Sequence, residues 1–301
     1  MLRVRWVRRV GGLVAGLTLA ACAPAAGVAD AAPSGHPAMW KLADADTTIY
    51  LFGTFHLLPQ GRDWRTPAFD RALASSGELV LEIGNLDDQM ALAQALMKLG
   101  MSPGLPPLAQ RVPAKKRGAL KAMVAESGIP EALLDRMETW AAGLMLTGVT
   151  FKRLGLDPNA GVERVLQGPW KASGRPVEGL ETAEEQFGFF DRLSEDAQRK
   201  FLEAALESPD AARKQFAEML RAWSAGDVAG IARTFDDETQ MSGELRGVLM
   251  AQRNAKWAEW LKARMAKPGT VFVAVGAGHL AGADSVQRML AARGLKVTRL
   301  Q

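Results

Sequence analysis

Three short runs of β-branched, aromatic and apolar residues stand out in a chain otherwise patterned for helices. They are T-T-I-Y-L-F at 47–52, E-L-V-L-E-I at 78–83 and V-F-V-A-V at 271–275, and each reads as a buried strand. A further apolar stretch at 39–42 is separated from the first run by the polar break Ala43-Asp44-Ala45-Asp46, the pattern of a hairpin. Thr66 followed by Pro67 marks a helix start, and Phe69, Ala72 and Leu73 supply its apolar face. A helix between two strands predicts a βαβ unit with parallel pairing.

From Asp87 to Met265 the apolar spacing is mainly helical, with helices expected at 88–99, 114–126, 131–154, 160–171, 183–193, 195–207, 210–223 and 242–265. Pro and Gly punctuate the series, and one strand at 176–180, ending at Glu181, interrupts it. After the strand at 271–275 the pattern predicts a helix at 281–292 and a last strand at 296–300. The expectation is an α/β fold with an α+β tendency. Residues 39–86 and 268–301 form a mixed central sheet, and 87–267 form a large, mainly helical insertion.

The N-terminus changes the charge argument. Arg3, Arg5, Arg8 and Arg9 precede an apolar run at 10–21 that is short for a bilayer span, the pattern of a secretory signal. It closes on Leu19-Ala20-Ala21-Cys22, which resembles a bacterial lipobox with Cys22, the only cysteine, as the lipid acceptor. Cleavage further on, around 29–32, is the alternative. Residues 22–38, rich in Ala, Pro and Gly, read as a flexible tether containing His36. Four of the 37 basic residues belong to the signal, leaving 33 against 33 acidic groups, so the mature chain is neutral. A nucleic-acid partner is therefore not expected. The expected location is the cell envelope, facing the periplasm and held by an N-terminal lipid, at the outer membrane in a Gram-negative host.

Two of the three histidines stand three residues after a strand-ending glycine: Gly53 with His56, and Gly276 with His279. Glu82 ends the 78–83 strand. These three residues share the C-terminal edge of predicted strands, where open α/β sheets bind ligands. Two imidazoles and a carboxylate can hold a divalent metal and activate water, or can act without metal as base, orienting acid and proton carrier. Each has a plainer reading as well: a backbone-bonded His56, a helix-start His279 and a solvated Glu82. Arg253 pairs with a catalytic carboxylate, binds an anionic substrate group, or forms a surface ion pair. Glu181 follows a strand as Glu82 does, but Glu184 and Glu185 beside it fit a solvated helix start. Asp157 reads as a turn residue, and the tryptophans at 140, 223, 257 and 260 as packing anchors.

The longer strings L-F-G-T-F-H-L-L-P at 51–59 and V-G-A-G-H-L-A-G at 275–282 resemble the TraB/PrgY/GumN family, distantly related to the Tiki proteases. Trp40, L-V-L-E-I at 79–83, R-P-V-E-G-L-E-T-A-E-E-Q at 175–186 and R-N-A-K-W at 253–257 extend the resemblance over residues 40–300. It implies an α/β core in which the paired Gly-x-x-His turns converge, with functional positions at His56, Glu82, His279, Arg253 and Glu181. It also implies a divalent metal (manganese, cobalt or zinc) on His56, His279 and Glu82. Family members often carry Asp two residues after the strand-end Glu; here that position is Gly84. The leading expectation is an envelope metallohydrolase acting on an amide or ester bond, with Glu82 as ligand or base and Arg253 at the developing oxyanion. Its rivals are capture of a peptide or signal molecule without turnover, a metal-free His-based esterase, and haem capture.

Overall fold

A computed structural model of the chain describes residues 36–235 and 242–301. The expected signal segment, Cys22 and the tether up to residue 35 lie outside the described residues. Residues 36–38, expected as part of the tether, fall within the described residues. Pro37 and Ala38 are buried, and their carbonyls accept from Gln301 and Gly53, while His36 is exposed.

The sheet has six strands: β1 (Met39–Ala43), β2 (Thr47–Thr54), β3 (Glu78–Ile83), β4 (Val177–Glu181), β5 (Gly269–Gly276) and β6 (Val297–Arg299), in the order β4-β3-β5-β2-β1-β6. The four strands β4, β3, β5 and β2 run parallel, and β1 is antiparallel to both β2 and β6. Met39, at the start of β1, pairs with Phe52 near the end of β2. The fold is α/β, with the sheet built from both ends of the chain as expected and β4 supplied by the helical middle.

Alternation along the strands explains the layers. Phe272 and Ala274 join Phe52, Leu79 and Leu81 in a core under the helices of the middle. Val271, Val273 and Val275 join Ile49, Leu51 and Val80 in a second core on the other face. The first face is covered by α1 (Pro67–Ser75), α2 (Gln89–Leu99), α3 (Arg117–Ser127), α4 (Glu131–Leu134), α5 (Thr139–Arg153), α6 (Val162–Ala172), α7 (Ala183–Asp191), α8 (Glu195–Ala205), α9 (Pro209–Ser224) and α10 (Val228–Phe235). The short α11 (Gly243–Arg246) leads into α12 (Gln252–Arg264), which with α13 (Val286–Ala292) covers the second face. No helix among the described residues is long and apolar enough to cross a membrane.

Three expected helices differ, each for a local reason. The single helix at 131–154 is two, α4 and α5. Buried Arg111 takes the carbonyls of Asp135 and Met137, and Met101 bridges Met137, so the backbone there bonds outside a helix. The helix expected from 281 starts at Val286, because Gly282 has φ +80°. Residues 242–265 are helical but contain one π turn at Gly247–Ala251. α10 was not expected, because glycines at 226 and 230 flank a short apolar run.

Gly84, where the resemblance leads to the expectation of an acid, has a steric reason. A Cβ there would lie 2.7 Å from the Glu178 carbonyl carbon and the Gly179 nitrogen. This backbone offers no room for a side chain, so position 84 supplies no ligand. Gly84→Ala is expected to lower unfolding stability by about 1–3 kcal/mol, the usual cost of overpacking. Urea denaturation checks it, and an unchanged midpoint would show that β4 yields freely.

Candidate functional site

β5 lies between β2 and β3, and this placement assembles the site. Gly53 pairs with Val275 and Thr54 with Gly276, so the two Gly-x-x-His turns leave the sheet side by side. A Cβ on Gly53 would come within 3.2 Å of both Cα and Cβ of Ala277; glycine lets the turns touch. A Cβ on Gly276 would lie 3.1 Å from Glu82 Oε1, 3.3 Å from His56 Nε2 and 3.6 Å from His279 Cδ2. The two histidines and Glu82 therefore converge above one bare stretch of backbone.

Glu82 is buried, and each of its oxygens is engaged. Oε1 accepts from the Gly276 N–H at 2.8 Å and lies 3.9 Å from His56 Nε2 and 3.8 Å from His279 Nε2. Oε2 accepts from Arg253 Nη2 at 2.6 Å and Gln186 Nε2 at 3.2 Å. Burial opposes its charge, but Arg253 and the Gly276 N–H hold its pKa well below the usual carboxylate range.

Arg253 is also buried. Its Nε donates to both oxygens of Glu181 at 3.0 and 3.1 Å, and Nη2 to Glu181 Oε2 at 2.9 Å. Nη1 donates to the Leu249 carbonyl at 3.2 Å and to His279 Nε2 at 3.1 Å. All five N–H groups are thus used, and no donor is left for an oxyanion. The surface ion-pair reading fails too, because the partners are interior. Glu181, expected as a functional position with a solvated helix start as its plainer reading, is buried and accepts from Trp257 Nε1 at 2.9 Å. Burial raises its pKa against the pull of Arg253, and Glu82 adds to the rise. Glu184 and Glu185 do stay on the surface, paired with Lys98 and Lys256.

His279 is fixed from both sides. Arg253 donates to Nε2, so the ring proton sits on Nδ1 and is donated to Asn254 Oδ1 at 2.5 Å; Asn254 Nδ2 in turn donates to the Asp284 carbonyl at 2.7 Å. Trp257 packs on the ring at 4.3 Å between centroids. Burial, then the guanidinium, lower the His279 pKa to about 3, so the imidazole is neutral near pH 7. His56 is the opposite case. Its side chain keeps 27% of its exposure, and Nδ1 lies 2.8 Å from Glu163 Oε1. Burial works against the imidazolium, yet Glu163 and then Glu82 outweigh it and raise the pKa to about 9.

The described residues contain no group of three His, Cys, Asp or Glu placed to hold a metal ion. Arg253 engages the His279 Nε2 lone pair and Glu82 Oε2, two positions a metal would need. The expected ligand trio is brought together, but as arranged it does not fit a divalent metal.

Four residues of the site were not expected. Glu163 sits in the first turn of α6, where an acid is ordinarily a solvated dipole partner, so the local pattern carries no signal. Gln186 and Asn254 lay inside strings noted above, without a role. Thr54, between Gly53 and His56, donates to Glu163. Trp223 is a packing anchor that also bonds the Gly53 carbonyl at 2.8 Å, and Asp157 is a turn residue, its carboxylate accepting from the Asn159 N–H.

The TraB/PrgY/gumN family model matches residues 38–299. The chain belongs to the TraB/PrgY/gumN family. It is 28% identical over 188 residues to the uncharacterized protein YbaP of Escherichia coli (strain K12), covering 62% of this chain and 69% of that protein. The YbaP of Shigella flexneri matches to the same extent. No solved structure matches the chain.

The shifted pKa values set a pH profile. His56, raised to about 9, stabilises the fold fully below its ordinary 6.5, and that contribution is lost as pH rises to about 9. His279, lowered to about 3, contributes above 6.5, and its contribution is lost as pH falls toward 3; depressed Glu82 adds to the acid loss below 4.5. The summed contribution of these three groups is expected to peak near pH 6.5, with Glu181, whose pKa is raised, working against it above 4.5. His56→Ala should remove the alkaline slope and His279→Ala the slope just below the peak, measured by chemical denaturation across pH. Arg253→Ala leaves two buried carboxylates without their cation and is expected to cost about 3–5 kcal/mol in the same assay.

Proposed function

We propose that this chain hydrolyses an amide or ester bond, in a peptide or similar small substrate, as a lipid-anchored protein of the cell envelope. One observation supports this reading above the others. A single imidazole, His56, reaches solvent at the rim of an otherwise buried and internally bonded cluster of Glu82, Arg253, Glu181 and His279. Such a cluster holds charge in place without reorganising, the condition under which electrostatic stabilisation of a transition state is strongest.

In this mechanism His56 enters protonated and donates from Nε2 to the developing oxyanion or to the leaving group. Glu82 Oε1 is its counter-charge and orients the attacking water, taking one water proton as the new C–O bond forms; the acyl–N or acyl–O bond then breaks as the leaving group takes the His56 proton, and the Glu82 proton returns to His56. His279 is neutral, with Nε2 accepting from Arg253, so it offers no proton and serves as a fixed wall. Arg253 holds Glu82 and Glu181 rather than touching substrate.

A second reading, a hydrolase dependent on manganese, cobalt or zinc, draws support from the convergence of His56, Glu82 and His279 above Gly276. It requires Arg253 to give up its bonds to His279 Nε2 and Glu82 Oε2.

Peptide and ester libraries supply the test. His56→Ala is expected to lower kcat by about 10²–10⁴-fold, the usual worth of a positioned general acid. Wild-type activity should survive EDTA and decline as pH rises through about 9, where His56 loses its proton. Activity lost to EDTA and restored by added metal would favour the second reading. Tight capture of a peptide with no turnover would replace both with a binding role.

A further inference from the structure

The expected site residues all come from the sheet edge and from α12, but the group that holds His56 comes from elsewhere. Glu163 is buried, in the first turn of α6, within the helical middle. Its Oε1 accepts from His56 Nδ1 at 2.8 Å and also from the Thr54 hydroxyl. The backbone is built to bring it there. The Val162 N–H donates to the Phe55 carbonyl at 3.0 Å, and the Asp157 N–H to the Leu58 carbonyl at 3.0 Å, so the segment 157–162 is laced to the turn that carries His56. Gly161 crosses directly over the His56 carbonyl, where a Cβ would collide with main chain. Three contacts thus place one carboxylate against one ring nitrogen, and the helix N-terminus favours a charged group at that position.

We propose that Glu163 is a positioning residue for the reaction: its bond to Nδ1 fixes the partly exposed His56 ring with Nε2 turned toward Glu82. The inference rests on His56 acting as the proton donor. Its logic is that of an imidazole whose far nitrogen is held by a carboxylate, so that the proton and the ring plane are set before substrate arrives. Thr54 holds the same Glu163 oxygen from the sheet, so the ring is referenced to β2 as well as to α6.

Two measurements separate this inference from the hydrolase reading. In the ¹⁵N spectrum of labelled wild-type protein recorded above pH 9, where the ring has lost its Nε2 proton, with His36→Ala and His279→Ala for assignment, His56 is expected to show one sharp neutral form with the remaining proton held on Nδ1. Glu163→Ala should give an averaged pair of tautomers, and Glu163→Gln guards against a folding loss in the alanine variant. With an active substrate, both variants should lose about 10–100-fold in kcat with KM nearly unchanged, the usual effect of removing a group that orients a reacting residue. The double variant His56→Ala/Glu163→Ala should be no slower than His56→Ala alone. If both Glu163 variants keep the single Nδ1–H form, or keep kcat within twofold, the inference is overturned. If the ring loses its fixed form but wild type turns over no substrate, the positioning stands and the hydrolase reading falls.

Discussion

Arg253 spends every N–H it has on groups that would otherwise be stranded in the interior. Glu82 and Glu181 end neighbouring parallel strands and are both buried, a pairing that self-repulsion and desolvation would oppose. A planar cation between them, flanked by Phe189 and Trp257, makes the arrangement tenable. Networks of this kind are seldom the most stable filling for a core; what they supply is a defined geometry. The π turn just ahead of α12 belongs to the same device, because the Leu249 carbonyl within it accepts from the Arg253 side chain. Asn254 and Trp257, one and four residues on, share the buried face and reach His279 and Glu181.

The paired motifs are alike in sequence and unlike in chemistry. Each glycine ends a strand and each histidine follows by three residues, yet one ring is buried, neutral and bonded at both nitrogens, while the other is partly exposed and readily charged. Neighbours set the difference. Glu82 lies equally near both rings; beyond it His279 faces a guanidinium and an amide, and His56 a second carboxylate, Glu163. One readily charged imidazole and one neutral, fixed imidazole result from two copies of the same short turn.

Much of this was legible in the chain. Strand-ending glycines, the rarity of histidine and the strand-end position of Glu82 located three members, because a buried parallel strand announces itself as an unbroken apolar run. The plainer readings of Glu181 and Arg253 failed because a charged residue at an element boundary looks the same whether it meets water or another charge. Glu163 was invisible for a related reason: its significance depends on Gly161 lying over His56, a contact between segments about a hundred positions apart in sequence. The break between α4 and α5 escaped notice because Arg111, which captures the carbonyls there, lies outside any window of local periodicity.

β1 enters the sheet beside the last residues of β2, since Met39 stands opposite Phe52. The described chain therefore begins on the edge that bears His56, not at the far end of the strands. The point at which the described chain starts and the point at which His56 leaves the sheet thus share one edge. Anything joined ahead of residue 36 is therefore a neighbour of the partly exposed imidazole rather than of the opposite end of the strands.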